Sequence, residues 1–269
     1  MNPRSMSDSS LGPKPPPRGE DLPCDDGEPL ETKRHRDQMN LLIDSLNEGW
    51  STRHDFFVAG NMFLYYSETQ SKKYEYRGPD VFVVLDTADH ERKSWVVWEE
   101  GGRLPNAIVE ITSDTTEHID RGPKMRIYGS LLRVPFYAIY DPFSAQLDAY
   151  RYNSDHGRYE LVDKDHRGYV RCEALGLWLG VVPEYLAHYR AEAPWLRWID
   201  NEGSKLPLSS ERVAEERQRV AEAQQRVAEA RQRVAEQQQR TAHEAARADE
   251  AERRLASLQS ELDELKRRR

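Results

Sequence analysis

The sequence predicts an α/β fold, a mixed β-sheet core flanked by helices, followed by one long helix of different character. Three observations carry this. Short, nearly continuous apolar runs occupy Val81–Leu85, the stretch 106–112 and Phe136–Tyr140, as expected of strands covered on both faces. Apolar residues recur at three- and four-residue spacing in 31–46 and again in 120–133, the pattern of amphipathic helices. From 211 onward Arg-Val-Ala-Glu returns at 212, 219, 226 and 233, so the tail is a heptad-repeat helix.

The 269 residues divide by composition into four parts: a Pro-rich acidic tail over 1–30, an α/β domain over 31–200, a linker over 201–210 and a coiled-coil helix over 211–269. Cys24 and Cys172 lie far apart with no metal-type spacing, which predicts free reduced thiols in a cytoplasmic protein. No apolar run approaches the roughly 20 residues needed to span a bilayer, and no secretory signal opens the chain, so no membrane association is expected. A net charge of −8 works against broad contact with phosphates, leaving room only for a local basic rim.

In chain order, Pro13-Lys14-Pro15-Pro16-Pro17 and the acids Asp25, Asp26 and Glu28 offer few apolar anchors, which predicts a disordered tail or a polyproline ligand. Met39, Leu42, Ile43 and Leu46 then mark a helix packed on a sheet, with His35 about one turn before that stripe. Asp55–Gly60 and Met62–Tyr66 are strand-forming runs broken at Gly60-Asn61, read as a bulged strand or a tight hairpin. Gly78-Pro79 turns the chain into Asp80 and the strand Val81–Leu85. Residues 86–105 read as a loop or partly helical insertion carrying Trp95 and Trp98.

After the strand in 106–112, a helix is expected from near Asp120 to Arg133, with Pro123 in its first turn and Lys124, Ile127, Tyr128 and Leu131 on one face. Val134-Pro135 ends it. Strands follow at Phe136–Tyr140, 147–152, 158–162 and 169–179, and Val182-Pro183-Glu184 reads as the start of a short helix through Arg190. In the tail, Val213, Val220, Val227, Val234 and later Leu255 and Leu262 share one seam position. The companion position holds Glu216, Ala223, Ala230, Gln237, Glu244, Ala251, Leu258 and Leu265. Association is therefore weak at first and strongest at the leucine-rich end, with a solvated single helix as the other reading.

Two of the apolar runs carry a carboxylate. Asp80 opens one, and Glu110 sits inside the other between Val109 and Ile111. Burying a carboxylate there is costly unless something neutralises it. Pro79-Asp80, Val109-Glu110-Ile111-Thr112-Ser113, Asp120-Arg121-Gly122-Pro123-Lys124 with Tyr128, and Phe136-Tyr137-Ala138-Ile139-Tyr140-Asp141-Pro142 occur in that order. Together they resemble the Uma2 family of endonuclease-like proteins, which is similar to the PD-(D/E)xK, restriction-endonuclease-like superfamily. The resemblance spans about residues 31 to 190. It implies a restriction-endonuclease-like sheet and a Mg²⁺-dependent endonuclease, with Mn²⁺ as the other ion, acting on nucleic acid and first of all on DNA. Asp80, Glu110 and the main-chain carbonyl of Ile111 are the implied metal ligands, and Asp80, Glu110 and Lys124 the implied catalytic set.

Phosphodiester hydrolysis needs an anchored anion, a hydroxide made near neutral pH and stabilised negative charge; a hydrated Mg²⁺ on carboxylates beside a lysine meets all three needs. The superfamily signature places that lysine two residues after the acid, where this chain has Thr112, so Lys124 takes its place. Asp120, Arg121 and Tyr128 either orient Lys124 or a phosphate or, for the first two, form surface pairs. His35 is either a helper beside the site or an exposed or capping imidazole. Glu99 and Glu100 are either further ligands or part of a solvated acidic loop. A homo-oligomer through 211–269 accompanies the enzyme reading. The competing reading is a catalytically inactive nuclease-fold protein that recruits partners through its coiled coil, favoured by the acidic middle segment and the displaced lysine.

Overall fold

The computed structural model describes residues 16–24, 32–67 and 76–267. The chain forms two compact units, Met1–Ser210 and Glu211–Arg269. In the first, helix α1 (Lys33–Gly49) starts where Thr32 Oγ1 accepts the His35 N–H at 3.1 Å, satisfying one of the donors that a helix start leaves open. The strands in chain order are β1 (Phe56–Ala59), β2 (Leu64–Tyr65), β3 (Tyr76–Arg77), β4 (Val81–Leu85), β5 (Trp95–Val96), β6 (Ala107–Ile111), β7 (Phe136–Tyr140), β8 (Leu147–Asn153), β9 (Arg158–Leu161), β10 (Val170–Cys172), β11 (Leu177–Leu186) and β12 (Ala191–Ile199).

The main sheet has the order β1-β4-β6-β7-β8-β9. Only β6 and β7 run parallel, so the sheet is mixed. Their connection is a helical segment, α2 (Glu117–Ile119), continued by π-type turns at Asp120–Lys124 and Ile127–Leu131. The Leu132 N–H donates five residues back to the Ile127 carbonyl at 2.9 Å, the widened winding that defines a π turn. This winding leaves Leu131 exposed rather than on the inward face expected for it, while Tyr128 is fully buried.

Alternation along β4 and β6 sorts their side chains between two layers. Val81, Val83, Val109 and Ile111 join the core shared with α1, whereas Phe82, Val84 and Ile108 join the core shared with Tyr128 and Leu132. Both sheet faces are thus covered, as the unbroken apolar runs require.

Strands β10, β11 and β12 make a second, antiparallel sheet against α1. Gln38 zips the two together: its Nε2 donates to the Leu196 carbonyl at 2.9 Å and its Oε1 accepts the Leu196 N–H at 3.0 Å. The short helix expected from Val182 is instead the second half of β11, paired residue by residue with β12. Pro183 faces Pro194, whose carbonyl turns away to accept from Tyr140 and Arg34. The two prolines therefore occupy a pair that asks for no N–H donor.

Neither the bulged strand nor the tight hairpin expected across Gly60 forms. Strand β1 edges the main sheet, while β2 pairs with β3 and with β5 in a third sheet. Trp95, expected in a loop, lies buried in β5 and donates its indole N–H to the Arg103 carbonyl. Residues 16–24 pack on this small sheet: Leu22 is buried with Phe63, Tyr65 and Val96, and Trp98 donates to the Pro17 carbonyl. That stretch departs from the expected disorder because Leu22 supplies an apolar anchor; the remainder of 1–30 lies outside the described residues. The expected linker over 201–210 is packed too, with Leu206 and Leu208 buried. It ends where Asp44 accepts both the N–H and the hydroxyl of Ser209 at the start of α3 (Ser209–Arg267).

Candidate metal and catalytic site

The antiparallel register of β4 and β6 sets Val81 opposite Val109. Asp80, one residue before β4, therefore falls beside Glu110 and Ile111. Its main-chain N–H donates to Glu110 Oε2 at 3.1 Å, and its Oδ2 accepts the Ile111 N–H at 2.7 Å. Lying just outside the strand, Asp80 also reaches the opposite layer, where its Oδ1 is 2.9 Å from Nε2 of His35 on α1. Gly60 makes this meeting possible. A Cβ there would stand 2.4 Å from the Asp80 carbonyl oxygen and within 3 Å of Met39 and Ile43.

Glu110 shares its sheet face with Ile108 and points toward the helical segment after β6. Tyr128 donates its hydroxyl to Glu110 Oε1 at 3.0 Å, and Lys124 Nζ lies 3.1 Å from Glu110 Oε2. The same ammonium is 2.9 Å from Oδ1 of Asp120, one turn earlier. Asp120 is buried, and its main-chain carbonyl accepts from Tyr137 at 2.9 Å. Asp80, Glu110 and Asp120 are thus gathered round one lysine and one histidine.

Electrostatics follow from that crowding. Burial pushes the Glu110 carboxyl up to about 8; Lys124 opposes the shift, while Asp80 and Asp120 reinforce it. Asp120 is raised by its own burial against the pull of Lys124. For Asp80, burial acts upward, but His35, the Lys124 charge and the Ile111 N–H outweigh it and hold the group below the usual carboxylate value. Burial would lower the Lys124 amine, yet the carboxylates of Glu110, Asp80 and Asp120 raise it above an ordinary lysine. Lys124 is consequently a permanent cation. Tyr128, raised by burial and by Glu110, remains a phenol and a donor.

The donor chemistry fits a hard divalent cation. The oxygens are carboxylate and main-chain oxygens, and Glu110 is raised to about 8 first by burial and then by Asp80 and Asp120, against the single ammonium of Lys124. Among the described residues no group of three His, Cys, Asp or Glu side chains is spaced to hold a metal by itself. A cation here would rest on Asp80, Glu110 and the Ile111 carbonyl with water completing its shell, the habit of Mg²⁺.

Asp80, Glu110, Ile111 and Lys124, singled out in the sequence, come together. His35, left open between two readings, is buried beside Asp80. Its signal was the spacing His35, Met39, Leu42, Leu46, which continues the core stripe of α1 by one turn. Asp120, equally open, is buried on Lys124, and the spacing 120, 124, 128 carried that information. Arg121 is a surface residue, bound to Glu117 and Asp148 at 2.7 Å each. Glu100 pairs with Arg92, and Glu99 accepts the Gly19 N–H.

Comparison with known families decides the relationship. The model of the Uma2 family, described as "Putative restriction endonuclease", matches residues 15–181. The chain belongs to the Uma2 family. Among its similar proteins is the uncharacterized protein slr1290 of Synechocystis, 28% identical over 102 residues; these cover 38% of this chain and 50% of that protein. The chain thus spans about half the length of this curated relative. A crystal structure of "a putative nuclease belonging to DUF820" from Anabaena variabilis is similar over 62% of this chain and 80% of that one, at 10% identity and a TM-score of 0.39. Among the described residues no helix is long and apolar enough to cross a membrane.

Proposed function

We propose that this Uma2 chain is a Mg²⁺-dependent endonuclease that hydrolyses phosphodiester bonds of nucleic acid, with DNA the first candidate. The observation that carries the reading is the meeting of Asp80, Glu110 and Lys124 at one end of the main sheet, with the acids in excess over the cations. Membership of a family described as "Putative restriction endonuclease" supports it.

Asp80, Glu110 and the Ile111 carbonyl would hold the ion. A bound Mg²⁺ supplies a Lewis acid for a phosphoryl oxygen and water acidified toward neutral pH. Lys124 stays protonated, so its part is electrostatic: it orients water or phosphate and stabilises negative charge that develops as the bond breaks. Asp120 and Glu110 fix the position of that ammonium on two sides. Tyr128 and the Asp80 N–H fix the two oxygens of Glu110, and His35 does the same for Asp80.

The test is a cleavage assay on single- and double-stranded DNA and RNA with Mg²⁺ and with Mn²⁺, run beside Lys124→Ala. Cleavage of at least one substrate that needs the ion and falls about 10²-fold or more in the variant is expected. Absence of cleavage across the panel, together with no ion binding, would favour the interaction-protein reading instead.

A further inference from the structure

The second unit is one helix whose apolar residues are uncovered: Val213, Val220, Val227, Val234, Leu255, Leu258 and Leu262 are each about half exposed. Beside the valine and leucine seam, the preceding heptad position is Arg at 212, 219, 226, 233, 240, 247 and 254, and turns to Glu only at 261. The flanking position on the other side reads Arg217, Gln224, Arg231, Gln238, Ala245, Glu252, Gln259 and Lys266. These two columns border the seam and meet across it when two such helices pair.

The charge pattern distinguishes the two possible orientations. Parallel, in-register pairing brings Arg247 to Glu252 of the partner subunit and Glu261 to Lys266 of the partner subunit, and each contact occurs twice by symmetry. Antiparallel pairing sets the arginine column against itself, Arg226 facing Arg254 and Arg233 facing Arg247, a repulsion at nearly every step. It also places Leu262 against Glu216, whereas the parallel arrangement stacks Leu255, Leu258 and Leu262 on their own copies. Val holds the first seam position over 213–234 beside Glu216, Ala223, Ala230 and Gln237, and Leu holds both seam positions over 255–265, so the apolar contact of a pair is largest at the C-terminal end. Upstream, Glu216 and Glu244 face their own copies in the parallel pair, Arg212 meets Arg217 and Arg226 meets Arg231 across the seam, so attraction concentrates beyond residue 247.

We infer that α3 is the interface for a second copy of this chain, forming a parallel, in-register two-stranded coiled coil zipped from its C-terminal heptads. Both copies of the first unit are then tethered to the same end of the rod, which raises the local concentration of one beside the other. The inference stands apart from the nuclease reading, because association is read out without any cleavage.

The experiment uses the full chain carrying Cys24→Ser, which leaves only the buried Cys172, and Ser260→Cys as a spin-label site outside the seam. A mass of two chains with a label separation within about 35 Å is expected, against roughly 60 Å or more for an antiparallel pair, from the rise of about 1.5 Å per residue. Arg247→Glu and Glu252→Arg should each weaken association about three- to tenfold, and the double swap should restore it to within about twofold. A concentration-independent single-chain mass, a mass above two chains, the long separation, or a double swap no better than the single changes would each overturn the inference.

Discussion

Asp80 and Glu110 hold each other across two neighbouring strands: the main-chain N–H of Asp80 donates to the carboxylate of Glu110 at 3.1 Å. A backbone donor, unlike a side chain, cannot swing away. The separation of the two acids is therefore set by the β4–β6 register, so any ion they held would meet a preformed pair.

That pair has a pH signature. Folded Glu110 retains its proton to about 8, whereas the ordinary value is 4.5, so between these limits the folded state binds more protons than the unfolded one. This group's contribution to stability therefore falls as pH rises through that window. An ion on Glu110 must expel the proton, so below about 8 its apparent affinity should climb with pH, by up to about tenfold per unit. Melting curves with and without Mn²⁺, from about pH 6 to about pH 8.5, should show an ion-induced rise in Tm that widens with pH. A rise of constant size would count against Glu110 as a ligand.

Removing the lysine should expose the acids it separates. Lys124→Met leaves Glu110 and Asp120 buried without their cation, a loss on the order of 3–5 kcal/mol when the partners are ionised. Denaturant titration should find the larger loss near pH 8 and a smaller one near pH 5, where Glu110 is protonated. An equal loss at both values would assign Lys124 a packing role instead.

Gly60 is expected to control the site without touching an ion. Gly60→Ala drives a methyl into the Asp80 carbonyl, and backbone there has little room to give. Overpacking of this kind costs about 1–3 kcal/mol. The variant should also lose ion binding more than its stability explains, because the displaced residue is Asp80. Unchanged ion affinity in a destabilised Gly60→Ala protein would uncouple the two.

The strands under the site were legible because β4, β6 and β7 are buried on both faces and leave an unbroken apolar trace. Asp80 and Glu110 were legible as acids set against that trace, and Lys124 through the order of motifs shared with a known family. What escaped depended on partners far away in sequence. Val182-Pro183-Glu184 has the local look of a helix start, and only the facing Pro194 reveals a strand. The split of β1 and β2 between sheets depends on Gly60 passing close to Asp80, an approach that no local pattern records. His35 and Asp120 were left open because each was read beside its charged neighbours in sequence rather than along its helical face.

The most direct test of the account is calorimetric titration of the full chain with Mn²⁺ near pH 8, wild type beside Asp80→Asn and Glu110→Gln. The account predicts one ion site per chain in the wild type and its loss in both variants, each still folded by circular dichroism. Undiminished binding in either variant, or none in the wild type, would contradict it.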